Sequence, residues 1–120
     1  MNFNSRFKSF AYALNGLKIM LGKEPNSRIH LIAGVFVILA GIIFNINAIE
    51  WCIVLICIGI VISTELLNTS IEQISNFVSP EYNMKIKSIK DLGAAAVLIT
   101  AITSLIIFLI IFIPKIIDLL

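Results

Sequence analysis

The chain is 120 residues long, enough for one domain, with 59% hydrophobic residues, 13% charged residues and a formal net charge of +2. An ordinary soluble domain carries roughly 45–50% apolar and about 25% charged residues. A chain this poor in polar side chains cannot cover a water-facing surface, which excludes a water-soluble globule, a disordered chain and a nucleic-acid-binding module.

In the first 22 residues, Phe3, Phe7, Phe10, Leu14, Leu17 and Leu21 recur at steps of three and four, with Arg6, Lys8, Asn15 and Lys18 mostly off that stripe. This pattern predicts a basic amphipathic helix over 1–22 lying along a membrane surface. Packing of the stripe against neighbouring helices is a compatible second reading. The segment lacks the continuous apolar core and small-residue cleavage site of a signal peptide.

A polar break follows at Lys23-Glu24-Pro25-Asn26-Ser27-Arg28, where Pro25 suits the first turn of a new helix. The first membrane span is predicted over about 29–47, interrupted only by His30 and Asn45. The next apolar run, Trp51 to Thr64, is only 14 residues long, short of the about 20 that a spanning helix needs. It crosses only if the helix continues through Glu65, Asn68 and Glu72 toward Phe77, giving a second span over about 50–77. The third span, about 88–113, contains Leu92 to Ile113, 22 residues without a charge, and is expected to stop at Pro114. Cys52 and Cys57, five apart in an apolar run, have neither disulfide-framework nor metal-ligand spacing and read as packing residues. The expected fold is an all-α integral membrane protein of one domain, a surface helix plus three transmembrane helices.

Orientation follows from the basic residues. Eight of the nine, Arg6, Lys8, Lys18, Lys23, Arg28, Lys85, Lys87 and Lys90, fall before the first span or between the second and third; only Lys115 falls elsewhere. The N-terminus and the connection over 79–90 are therefore expected to face the cytoplasm, with Trp51 as an interface anchor on the far side.

The second span carries the unusual residues. Glu65, Asn68, Glu72 and Asn76 recur at steps of three, four and four. They share one narrow helical stripe roughly 16 Å long, with Thr69 to one side. An ionisable residue within a membrane helix costs a few kcal/mol and needs a partner or a purpose. Glu24, Glu65, Glu72 and Asp91 are expected to converge near one membrane level, with Arg28 and Lys90 as counter-charges. After Asp91, Gly93-Ala94-Ala95-Ala96 offers a small-residue face that permits close helix approach. Carboxylates beside an amide suit Mg²⁺ bridging nucleotide phosphates and general-base work on a hydroxyl. Structural hydrogen bonding between helices is the alternative for Glu65 and Glu72.

Three blocks carry a family resemblance. Glu65-Leu66-Leu67-Asn68-Thr69-Ser70-Ile71-Glu72 resembles the E-x-x-N-S/T-A/S-I-E signature of the prokaryotic diacylglycerol kinase family. Lys90-Asp91-Leu92-Gly93-Ala94-Ala95-Ala96-Val97 is similar to its K-D-x-A/G-A/S-A/G-A-V block. Glu24-Pro25-Asn26-Ser27-Arg28-Ile29-His30 is similar to the E-x-N-x-R-I-H element seen especially in the undecaprenol kinase branch. The resemblance implies an ATP- and Mg²⁺-dependent kinase of a membrane lipid alcohol, in the bacterial inner membrane, assembled as a homotrimer with sites shared between chains. It implies Glu65 as general base with Asn68 positioning the reacting groups, and Glu24 and Glu72 as metal ligands that also contact ATP. Tyr12, Glu81, Tyr82, Asn83, Lys90 and Asp91 would contact ATP as well. Asn26, Ser27, Arg28, Ile29, His30, Glu65 and Ala94 would contact the lipid.

The chain departs from the family pattern twice. Asn76 stands where an Asp is common, and Ser5 stands opposite the surface-helix arginine, with Arg6 one residue away. The sequence has no G-x-x-x-x-G-K-S/T phosphate loop and no protein-kinase signature set, so a nucleotide site must be assembled from charged side chains and metal. Phosphoryl transfer mainly demands positioning and charge neutralisation, so such a site suffices. Two other classes compete: a small proton-coupled transporter, because intramembrane carboxylates also mark proton paths, and a non-catalytic membrane assembly subunit.

Overall fold

A computed structural model describes residues 3–120. Its four helices are α1 (Phe3–Lys23), α2 (Pro25–Ile43), α3 (Ala48–Val78) and α4 (Met84–Leu119). Met1 and Asn2, which begin the predicted surface helix, lie outside the described residues. The last three helices are long and apolar enough to cross a membrane.

The break between α1 and α2 is set by Pro25, which offers no N–H and drives the preceding residue away from helical geometry. Glu24 is accordingly extended, at φ −115° and ψ 104°, and α2 starts with Pro25 in its first turn. Two side chains then lock the corner. The Ser27 hydroxyl donates to the carbonyls of Glu24 (2.6 Å) and Met20 (3.2 Å). Arg28 donates from Nε to the Leu21 carbonyl (2.6 Å) and from Nη2 to the Gly22 carbonyl (3.3 Å). These are carbonyls of the last turn of α1, which the helix itself leaves unsatisfied and where a cation is favourable. Arg28 is thus a cap for α1, and among the described residues it makes no ion pair with the carboxylates it was expected to balance.

At the opposite end, α2 turns into α3 through Asn45, whose φ of 52° is left-handed, a conformation Asn tolerates better than most residues. Asn47 opens α3 with a capping box: its side chain accepts from the Glu50 N–H (2.9 Å), and the Glu50 carboxylate accepts from the Asn47 N–H (3.1 Å). The other Glu50 oxygen meets Lys115 Nζ at 3.0 Å.

That ion pair lies just past Pro114, where the structure departs from the sequence reading: α4 does not stop there but runs on to Leu119. Proline removes one hydrogen bond to the preceding turn, but Lys115, the next residue, ties the following turn back to α3.

Cross-helix contacts run in reverse sequence order, so both neighbours of α3 are antiparallel to it. Thr64 bonds Thr100 at 3.1 Å, and Ser104 donates to the Cys57 carbonyl at 3.5 Å. On the α2 side, Gly34 faces Ile58 and Gly41 faces Trp51. The most extensive pairing is α3 with α4. Ile46, Val54, Ile111 and Phe112 form the buried core near the α2–α3 turn, with Trp51, Phe44 and Phe108 packed around them. Most other apolar side chains on α2 and α4 point outward, among them Phe36, Ile43, Leu98 and Ile110. On α1 only Met20 is buried, and Phe3, Phe7, Phe10 and Leu14 are exposed.

Candidate active site

The polar stripe of α3 lies at the end remote from that core. Glu65, Asn68 and Thr69 are buried, although each is polar. Glu65 is 2% exposed, and one carboxylate oxygen lies 2.6 Å from Nδ1 of His30 on α2. A carboxylate only accepts, so with Glu65 in that form the bond requires the hydrogen on Nδ1. The Thr69 hydroxyl turns back to the Glu65 carbonyl at 2.9 Å, a bond within α3 that leaves the Glu65 carboxylate untouched.

Asn68 faces α4. Its Oδ1 is buried with no hydrogen-bond partner among the described residues, and it lies so close to Gly93 that a Cβ there would overlap it. Gly93 therefore lets α4 approach α3 at the level of the stripe. A buried carboxamide oxygen without a partner is costly in a fold, and here it accompanies the close approach of α4 to α3 at Gly93.

One turn further along α3, the Glu72 carboxyl meets that of Glu24 from the α1–α2 corner within hydrogen-bonding reach, with Lys90 and Glu65 in electrostatic range. Lys23, Glu24, Thr69, Glu72, Gln73 and Asn76 line a cavity of about 280 Å³ at this point. Asn76 fixes its rim, since Oδ1 accepts from Lys90 Nζ at 2.5 Å. The amide that replaces the family's usual acid thus still holds the α4 lysine.

Lys90 also borders a second cavity of about 260 Å³, formed with Glu81, Tyr82, Asn83, Lys87 and Asp91 around the α3–α4 connection. Asp91 is exposed and pairs with Lys87 at 2.6 Å. Asn83 caps α4 by accepting from the Lys85 N–H at 2.8 Å. The Tyr82 ring is exposed, with its hydroxyl 3.4 Å from Met84 Sδ. The proposed nucleotide contacts on the loop and on α4 therefore share one cavity, joined through Lys90 and Asn76 to the one holding Glu24 and Glu72.

Other candidates stand apart. Tyr12 is 72% exposed on α1 and borders neither cavity. Asn26, Ile29 and Ala94 are exposed, whereas Ser27 is buried in the corner. His30 instead borders an apolar cavity of about 280 Å³ between α2, α3 and α4, lined also by Gly34, Val61, Ala101, Leu105 and Phe108.

Among the described residues, no group of three or more His, Cys, Asp and Glu side chains closes around a common point. An all-protein cage is therefore absent, but Mg²⁺ does not ask for one. It keeps several waters and binds through one or two carboxylates plus substrate phosphates. Two carboxyl groups facing each other from different helices fit that habit, because a cation between them relieves their repulsion.

Comparison with known proteins places this arrangement. The model of the prokaryotic diacylglycerol kinase family matches residues 11–112. The chain belongs to that family. It is 38% identical over 112 residues to the undecaprenol kinase of Bacillus subtilis, covering 93% of this chain and 91% of that one. It is 35% identical over 100 residues to a diacylglycerol kinase of Synechocystis, covering 82% of this chain and 57% of that protein. Against a diacylglycerol kinase of Helicobacter pylori strain J99 the identity is 29% over 97 residues, covering 81% and 76%. Every candidate from Tyr12 to Ala94 lies within the segment matched by the kinase family. Membership favours a lipid kinase over a transporter. Reading the sequence missed the His30–Glu65 and Asn68–Gly93 contacts, for which the signals were a lone imidazole interrupting an apolar run and a glycine heading a small-residue face.

Proposed function

We propose that this protein transfers the γ-phosphate of ATP to the hydroxyl of a membrane lipid alcohol, with undecaprenol as the preferred acceptor and diacylglycerol as the second. The observation that carries the reading is the buried Glu65 carboxylate, next to paired carboxylates and a lysine-bordered cavity. The preference for a polyprenol draws on the Glu24–His30 element and on the near-complete overlap with the Bacillus undecaprenol kinase.

In this reading Glu65 accepts the proton of the lipid hydroxyl as its oxygen attacks the γ-phosphorus, and ADP departs. Glu24 and Glu72 would hold Mg²⁺, whose charge offsets that of the phosphates. Lys90, fixed by Asn76, supports the polyphosphate, with Asp91, Glu81, Tyr82, Asn83 and Tyr12 completing the nucleotide contacts. Asn68, one turn from Glu65 on the same face, helps to position the reacting groups. Asn26, Ile29 and Ala94, exposed at the same level, border the lipid, and the apolar cavity below His30 takes its chain.

Helix length supports this depth. At 1.5 Å per residue, the 31-residue α3 is about 46 Å long against a hydrocarbon core of about 30 Å. Counted from Ala48, the hydrocarbon ends near the level of Glu65 and Asn68, where an interfacial hydroxyl would sit. The distribution of basic residues supports a cytoplasmic orientation for this end in a bacterial inner membrane, where α1 would lie on that surface. A homotrimer would cover outward-facing apolar side chains of the spans and let neighbouring chains contribute to one site.

The test is transfer of labelled phosphate from ATP by purified protein to undecaprenol and to diacylglycerol in parallel. Transfer to undecaprenol with the higher kcat/KM is expected. Absence of transfer to either lipid overturns the reading, and faster transfer to diacylglycerol overturns the preference.

A further inference from the structure

Glu65 has one side-chain partner. No hydrogen bond to its carboxyl other than that of His30 is present among the described residues, so one oxygen is held and its companion is left for a proton. His30 is the single histidine of the chain. It stands just after the α1–α2 corner that Ser27 and Arg28 lock to the carbonyls of α1, so its backbone is fixed independently of α3. The 2.6 Å approach is a short, direct hydrogen bond. A base whose orientation is set by a third group is a recurrent device of activated sites.

We infer that His30 is a positioning residue for Glu65, its Nδ1–H holding the carboxylate in the orientation that receives the lipid hydroxyl's proton. The inference rests on the reading of Glu65 as the base, and it differs from a direct lipid contact by His30. A lipid contact acts on binding; an oriented base acts on turnover.

Purified full-length protein carrying His30→Leu, His30→Asn, His30→Gln or Glu65→Gln is assayed with lipid and ATP varied separately. The carboxamide nitrogen of Asn falls where Nδ1 does, whereas that of Gln lies one bond further out. His30→Leu is expected to lower kcat about 10–100-fold, the range that outer orienting partners command at metal-bound histidines, with both KM values unchanged. His30→Asn should recover most of that turnover and His30→Gln little of it. Adding His30→Leu to Glu65→Gln should cost nothing further, as expected for groups acting as a unit.

A raised lipid KM at unchanged kcat in His30→Leu overturns the inference in favour of a lipid contact. Equal rates for the Asn and Gln variants overturn it even if the Leu variant does not fold. Normal turnover of His30→Leu beside an inactive Glu65→Gln overturns this inference alone, while an active Glu65→Gln removes the base beneath it.

Discussion

The two ends of α3 are built from the same helix for different purposes. Near Asn47 the helix is capped by its own side chains, pinned to α4 by Glu50 and Lys115, and surrounded by Val54, Trp51, Ile111 and Phe112. Near Glu65 to Asn76 it buries a carboxylate, a carboxamide whose oxygen has no partner among the described residues, and the hydroxyls of Thr69 and Ser75. The first end satisfies its polar groups locally and fills its interior with close-packed apolar volume. The second leaves polar capacity open, which a fold selected for stability alone would remove. Apolar packing is concentrated at one end and buried polar groups at the other.

The largest effect expected from this contrast is at the base. Glu65→Gln keeps the shape and the contact with His30 but removes proton acceptance, so phosphoryl transfer should fall about 10²–10⁴-fold while thermal unfolding in detergent stays close to that of the parent. Near-normal turnover would show that the buried carboxylate belongs to the structural end of the comparison.

Next in size are the facing carboxylates. Glu24→Ala and Glu72→Ala should each raise the Mg²⁺ concentration needed for half-maximal rate, by no less than the about 10–100-fold that outer partners alone command at metal sites. Mg²⁺ titrations at matched ATP that overlay the parent protein would remove both residues from the metal.

The sharpest use of the comparison is also the smallest in energy, one methyl group added at either end. At Gly41 a Cβ would meet the Trp51 ring at 2.8 Å and Ile46 at 3.0 Å. Gly41→Ala should therefore lower stability by about 1–3 kcal/mol, as overpacking does, without changing the rate per folded molecule. At Gly93 the obstructing group is the Asn68 carboxamide, a side-chain end that can rotate away. Gly93→Ala should unfold near the parent temperature but turn over more slowly, because Asn68 is displaced. Unfolding curves and specific activities of the two variants, measured side by side, decide the matter; the reverse pattern would dissolve the distinction between the two ends.

Composition, apolar run lengths and the Pro25 break determine four helices, three of them able to span a membrane, because each follows from local geometry and from the length of hydrocarbon to be crossed. The i, i+3, i+4 spacing likewise puts Glu65, Asn68, Glu72 and Asn76 on one face, since a helix fixes that relation whatever surrounds it. The motif blocks carry family membership by themselves. Partnership between helices is different, because it depends on the register in which α2 and α4 lie against α3. That register alone pairs His30 with Glu65, sets Gly93 against Asn68 and brings Lys90 to Asn76. It also sets Lys115, one residue past Pro114, against Glu50, 65 positions away, where α4 runs on to Leu119, a contact that no local pattern in the sequence specifies.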